Sequence, residues 1–140
     1  MLCFCSDWQV VPPSWPREKA GLYWGYTVRI AAGVAGLLRD SPFPDGYDLK
    51  IGTSEHGQVV APGDLLLPRF QHVLIAFGGP DGLEDALKHD KKLTGKQPVE
   101  VFDLYLNTCP QQGSRTIRTE EAILISVAYL QTALTRYGGV

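Results

Sequence analysis

No apolar run in these 140 residues is long enough to span a bilayer, and no secretory leader pattern opens the chain. Cysteine is scarce: three residues, an odd number, fit a reducing compartment better than a disulfide framework. Cys3 and Cys5 have no second pair and no nearby His, so no metal site is expected. Charge of one sign is also lacking. A formal net charge of −2 and a pI near 5.9 give no global basic field, so any nucleic-acid contact must come from a local patch or from another segment. There is no Gly-rich phosphate loop closing on Lys and Ser or Thr, which argues against nucleotide hydrolysis. His56 has neither a serine nucleophile elbow nor a metal-spaced partner, so a hydrolase or zinc enzyme is disfavoured. Internal repeats and linkers are absent. With 44% hydrophobic residues, the composition is that of one soluble domain with a real core, nuclear or cytosolic.

What is present reads as α/β. Residues 1–16 form an irregular lead-in, held extended by Pro12, Pro13 and Pro16. From Glu18 to Leu38 two stripes, Tyr23, Thr27, Ile30, Val34, Leu37 and Trp24, Val28, Ala31, Ala35, Leu38, predict a helix with a broad buried face. Its four glycines suggest close approach to another backbone element. Tyr47, Leu49 and Ile51 alternate with polar residues and predict a short strand running into the loop Gly52 to Gly57. His72 to Phe77 is the cleanest strand. It ends in Gly78 and Gly79, and Pro80 then opens a short helix over Asp81 to Lys88. Lys88, Lys91, Lys92 and Lys96 mark a solvated connection. A strand from Val99 to Leu106 and a final helix from Glu120 to about Tyr137 complete a mainly parallel sheet flanked by helices.

Three loops then follow three strands at one edge, where open α/β sheets bind ligands: Gly52 to Gly57, Gly78 to Gly82, and Asn107 to Thr119. Taken alone, the Gly78-Gly79 pair is more often a turn than a ligand contact. The third loop is the most distinctive. Pro110 and Gly113 bar regular structure, while Asn107, Thr108, Ser114, Thr116 and Thr119 crowd hydroxyls and an amide beside the backbone. Thr119 is the expected helix N-cap, with Glu120 and Glu121 in the first turn. Capping leaves Gln111, Gln112, Arg115 and Arg118 unexplained, which favours a binding loop that is also a helix start. Cys109 is read as a packing residue whose backbone groups are of interest.

AGLYWGYTVR (Ala20 to Arg29), DGYDLKIGTSEHG (Asp45 to Gly57), FGG (Phe77 to Gly79) and FDLYLNTCPQQGSRTIRTEEAILIS (Phe102 to Ser126) resemble the SPOUT-domain RNA methyltransferases, most of all the eukaryotic and archaeal branch that includes a vertebrate centromere-associated member. The resemblance covers about residues 17 to 135. It implies a class IV, S-adenosylmethionine-dependent enzyme with an α/β fold whose C-terminal part is a trefoil knot, a topology no pattern argument yields. It also implies an RNA substrate, with base methylation and uridine in ribosomal RNA as one option, and a homodimer joined through the C-terminal helix.

Carried over by motif, the cofactor contacts would be His56, Gly78, Gly79, Asn107, Cys109, Gly113, Ser114, Thr116, Ile117, Thr119 and Ala122, many through backbone groups. Glu120 or Glu121 would accept a proton, or merely cap the helix dipole. Arg29, Arg115 and Arg118 would hold RNA phosphate or charge on a base oxygen, or merely form surface ion pairs. The family pattern often has Arg in place of His56 and Gly in place of Gln111. It also has a strand-and-helix segment and an inserted RNA-binding barrel before the AGLYWGYTVR motif, so the chain is expected to be the C-terminal part of the fold, over residues 17–140. Impaired activity and self-association through an exposed edge are expected to follow. The competing reading is a non-catalytic RNA-binding or spindle and kinetochore scaffold built on the same fold.

Overall fold

A computed structural model describes residues 3–4, 10–12, 14–21 and 28–139. The chain divides into two units, Met1–Ile30 and Ala31–Val140, each defined by its own internal contacts. In the first, β1 (Cys3–Phe4) pairs antiparallel with β2 (Val10–Val11), and α1 (Trp15–Glu18) is one turn with Pro16 near its start. The lead-in expected to be irregular over residues 1–16 thus carries a short ladder and the beginning of a helical turn.

The long helix expected from Glu18 to Leu38 is a correction. Residues 22–27 lie outside the described residues, residues 28–32 are not helical, and α2 covers Gly33–Arg39. Gly33 takes φ +76°, outside right-handed helical space, and a Cβ there would sit 2.6 Å from Oδ2 of Asp90. That same oxygen accepts the Ala35 N–H at 2.7 Å, so a carboxylate distant in sequence satisfies the first turn of α2. The Ala35 bond is the main reason the Asp90 carboxyl lies below its ordinary range, with the Lys92 N–H adding to it. A start signal supplied from 55 residues away leaves no trace in local periodicity.

The second unit is built on three parallel strands, β3 (Leu49–Gln58), β4 (Val73–Phe77) and β5 (Leu104–Leu106), in the order β4-β3-β5. An α/β architecture with a parallel sheet is therefore present, as expected. Alternation along the strands sorts the two faces. Leu49, Ile51 and Leu106 point to one side and pack with Leu65, Leu67, Phe70 and with Leu130 and Ala133 of α5 (Thr119–Tyr137). Ala76 points to the other, where it meets Phe102 and Leu83 of α3 (Gly82–His89). Gly52 lies on this second face because a Cβ there would come within 2.8 Å of the Phe102 ring and 3.0 Å of Tyr105. Helices thus cover both faces, which is what apolar strands of this kind need.

Several boundaries shift. The loop expected at Gly52 to Gly57 belongs to β3, which continues to Gln58 with a break in register: Thr53 and Gln58 both stand opposite Leu106, so Ser54 to Gly57 arch outward. The strand expected from Val99 begins only at Leu104. Residues Pro98–Val101 form α4, because Pro98 suits a first helical turn and the Glu100 carboxylate accepts the Gln97 N–H at 2.6 Å, which outweighs the β propensity of Val99 and Val101. Helix α3 starts at Gly82 rather than at Pro80, which precedes the N-cap Asp81. Helix α5 is capped by Arg118, not Thr119: Arg118 is extended, and its N–H donates to Glu121 Oε2 at 3.1 Å. Among the described residues no helix is long and apolar enough to cross a membrane.

Candidate functional site

Because all three strands run parallel, their C-terminal ends open at one edge, and the segments that follow them enclose a cavity of about 690 Å³. The β3 arch contributes Ser54, Glu55 and His56. The turn after β4 contributes Gly78 to Gly82. The loop after β5 and the start of α5 contribute Asn107 to Cys109, Gln112, Arg115 to Glu120 and Ala122.

The two glycines after β4 do different work. A Cβ on Gly78 would lie 2.4 Å from the Gly82 carbonyl carbon and 2.5 Å from the Leu83 nitrogen, so this residue must be glycine for the turn to close. That turn is tied by the Gly82 N–H to the Gly79 oxygen at 3.0 Å, with Gly82 at φ +81°. Gly79, by contrast, has nothing within 4 Å of a built Cβ and borders the cavity. Packing within the fold therefore does not require glycine at this position.

Asn107 acts as a clasp. Its Nδ2 donates to the Glu55 oxygen at 2.9 Å, its Oδ1 accepts the Cys109 N–H at 3.0 Å, and its own N–H donates to the Gln58 oxygen at 2.9 Å. The β3 arch and the β5 loop are thereby held against each other, and Gly57 permits it: a Cβ there would fall 2.3 Å from the Leu106 carbonyl carbon. A second tie joins the loop to α5, where Thr108 Oγ1 and Ser126 Oγ lie 2.7 Å apart and Ser126 is 1% exposed. Further along, Gln112 Nε2 donates to the Ser114 oxygen and the Ser114 hydroxyl to the Thr116 oxygen, so this loop braces itself.

Of the residues singled out in the sequence as cofactor contacts, His56, Gly78, Gly79, Asn107, Cys109, Thr116, Ile117, Thr119 and Ala122 border the cavity. Gly113 and Ser114 lie in the same loop but not on the cavity wall. The His56 side chain is 71% exposed and stands 3.6 Å from Glu55 Oε1. Cys109 is half-buried with a free thiol. Arg115, Arg118 and Glu120 reach the wall, and Arg118 pairs loosely with Glu120 at 3.9 Å. Arg29 belongs to the first unit and is exposed.

The cavity also holds a group that the motif reading passed over. Glu84, on the first turns of α3, accepts the Ser54 hydroxyl at 2.8 Å and the Tyr105 hydroxyl on the same oxygen. Burial pushes the Glu84 carboxyl up, but the bonds from Tyr105, its own backbone N–H and Ser54, with a smaller contribution from the charge of His56, together leave it below its ordinary value. Tyr105 moves the opposite way: burial first, and the bond to Glu84 second, raise its hydroxyl far above an ordinary phenol. Ser54, Glu84 and Tyr105 come from β3, α3 and β5, and no spacing in the sequence joins them.

Comparison with known proteins adds the following. The sequence family described as "Putative RNA methyltransferase" matches residues 4–130. A human protein named 28S rRNA (uridine-N(3))-methyltransferase is 56% identical over 136 residues, 97% of this chain and 36% of that protein. Mouse and Drosophila melanogaster proteins of the same name are 57% identical over 129 residues and 50% identical over 125, covering 92% and 89% of this chain but 33% and 26% of their own lengths. The chain therefore spans about a third or less of these relatives, at 36%, 33% and 26%.

Proposed function

This chain belongs to that family of RNA methyltransferases, and on that premise we propose that its cavity binds S-adenosylmethionine and that the chain supplies the cofactor site for methylation of an RNA base. The observation that carries the reading is the joining of three strand-end segments around about 690 Å³, a size suited to a ligand of nucleoside dimensions. The residues fit such a group. Gly79 leaves open space at the wall, and the Asn107 clasp fixes two of the loops before any ligand arrives.

When bound, the cofactor supplies an electrophilic methyl group. The chain's own residues then have three tasks. Thr116, Ile117, Thr119 and Ala122 form one wall against which an adenosine moiety can lie. Arg115 and Arg118 place positive charge at the rim, where RNA phosphate or charge on a base oxygen can be held. Glu120, beside them, is the acceptor for a proton lost from a base nitrogen. By analogy with the relatives' printed activity, N3 of uridine in large-subunit ribosomal RNA is the proposed target, and N3 carries a proton that methylation must displace.

The exposed side of α5 bears Ile123, Leu124 and Val127, with Leu124 74% exposed. We assign this stripe to a homodimer contact. Calorimetric titration with S-adenosylmethionine tests the cofactor reading. Saturable binding that Gly79→Val abolishes without lowering Tm supports it, and a folded wild-type chain that releases no heat refutes it.

A further inference from the structure

Four carboxylates border the cavity, and they are not equivalent. Glu55 lies 3.6 Å from His56, Glu120 lies 3.9 Å from Arg118, and Asp81 is an exposed helix cap. Glu84 differs in three respects. It is half-buried, and its Oε1 is held by hydroxyls from two strands, which fixes the group and leaves Oε2 as the oxygen with accepting capacity to spare. No Lys, Arg or His side chain among the described residues forms an ion pair with it within 4.0 Å. The hydrogen bonds that outweigh its burial also keep it ionised at neutral pH.

With hydrogen bonds and the field of His56 holding it ionised and no ion pair closed on it within 4.0 Å, this carboxylate is a fixed negative charge at the cavity that a ligand cation can approach. A cation carried by the ligand would meet it there. Resting on the reading of the cavity as the S-adenosylmethionine site, we propose that Glu84 is the counter-charge to the sulfonium of the bound cofactor. It thereby makes the chain favour the charged methyl donor over the thioether left after transfer. Glu84 is a specificity residue in this account: attraction to the sulfonium strengthens binding of the donor, and its loss on methyl transfer loosens the product. Ser54 and Tyr105 are positioning residues that hold the carboxylate in place.

The test compares wild type and Glu84→Gln in calorimetric titrations with three probes: S-adenosylmethionine, S-adenosylhomocysteine, and an analogue carrying a protonated amine where the sulfonium stands. Gln keeps the size of the side chain and an acceptor for both hydroxyls, and a single cooperative thermal transition, at a Tm lower only by the stability the carboxylate supplies, verifies the fold. The expected result is a loss of roughly tenfold for both cationic probes, with S-adenosylhomocysteine changed by less than about twofold. Equal loss for all three would place Glu84 against a group they share, such as the ribose or the α-amino group, and would overturn the proposal. So would no loss for any. Failure of wild type to bind any probe sinks the cofactor site itself, and that result appears before a substitution is made. Tyr105→Phe, which releases one restraint and retains the carboxylate, should reduce the same preference by a smaller factor. An unaltered preference in both variants contradicts the account.

Discussion

Gly78 and Gly79 are neighbours that the structure expects to respond in opposite ways to the same added methyl group. At Gly78, the three nearest atoms to a new Cβ are Gly82 C, Leu83 N and Gly82 Cα at 2.4, 2.5 and 2.6 Å, all backbone. Ordinary contact begins near 3.4 Å, so the start of α3 would have to retreat by almost an ångström, carrying the buried Leu83 and the Glu84 carboxylate with it. Overpacking of this kind costs about 1–3 kcal/mol, with the upper end expected because no flexible side chain can yield. For a domain of this size that is a fall in Tm of roughly 4–10 °C. Gly79→Ala meets nothing within 4 Å, so its stability should change by less than about 0.5 kcal/mol while it adds a methyl group to a residue of the cavity lining. Thermal unfolding by circular dichroism, followed by calorimetric titration of each folded variant, separates the two effects. A Gly78→Ala protein as stable as wild type, or a Gly79→Ala protein that unfolds many degrees lower, would refute the reasoning.

Leu130 of α5 is fully buried among Leu49, Ile51 and Leu106, so Leu130→Ala should cost about 2–5 kcal/mol in denaturant unfolding, with cavity binding reduced only through the unfolded fraction. Glu84 has a carboxyl lowered by folding, so its contribution to stability is complete above its unfolded value and is lost as pH falls through the lower, folded value. The wild-type advantage over Glu84→Gln should therefore be constant near neutrality and shrink below about pH 4.3 in urea titrations at stepped pH. An advantage that grows on acidification would contradict this sign. Leu124→Glu places a charge on the exposed stripe of α5 and should shift sedimentation toward monomer without changing Tm; an unchanged mass distribution would remove α5 from the dimer contact.

The parallel sheet and the position of the cavity were legible because they depend on local signals. The apolar run around Val73 to Phe77 and the terminal helix each announce themselves by period, and the loops between them by glycine and proline. What was not legible depends on partners far away in the chain. Asp90 supplies the start of α2 from 55 residues off, so the periodic stripe from Glu18 to Leu38 suggested a helix much longer than Gly33–Arg39. Val99 looked like strand because its propensity was read without the Gln97–Glu100 bond that closes α4. Within the site, the motif points at Asn107, which borders the cavity, but the second role of that residue, joining Glu55, Cys109 and Gln58 through its amide and backbone N–H, depends on partners that only the paired strands bring near. Glu84 went unnoticed for the same reason: its role is set by Ser54 and Tyr105, which approach it only after the strands have paired.

The central claim is that the segments after the three parallel strands jointly bind the methyl donor. Its most direct test is an amide-resolved NMR titration of the isotope-labelled chain with S-adenosylmethionine. The account predicts saturable shifts concentrated in Ser54 to Gly57, Gly78 to Gly82 and Asn107 to Ala122, with the Lys88 to Lys96 connection unmoved. Shifts confined to that connection or to the outer face of α5, or none at concentrations that saturate the cofactor's known binders, would contradict it.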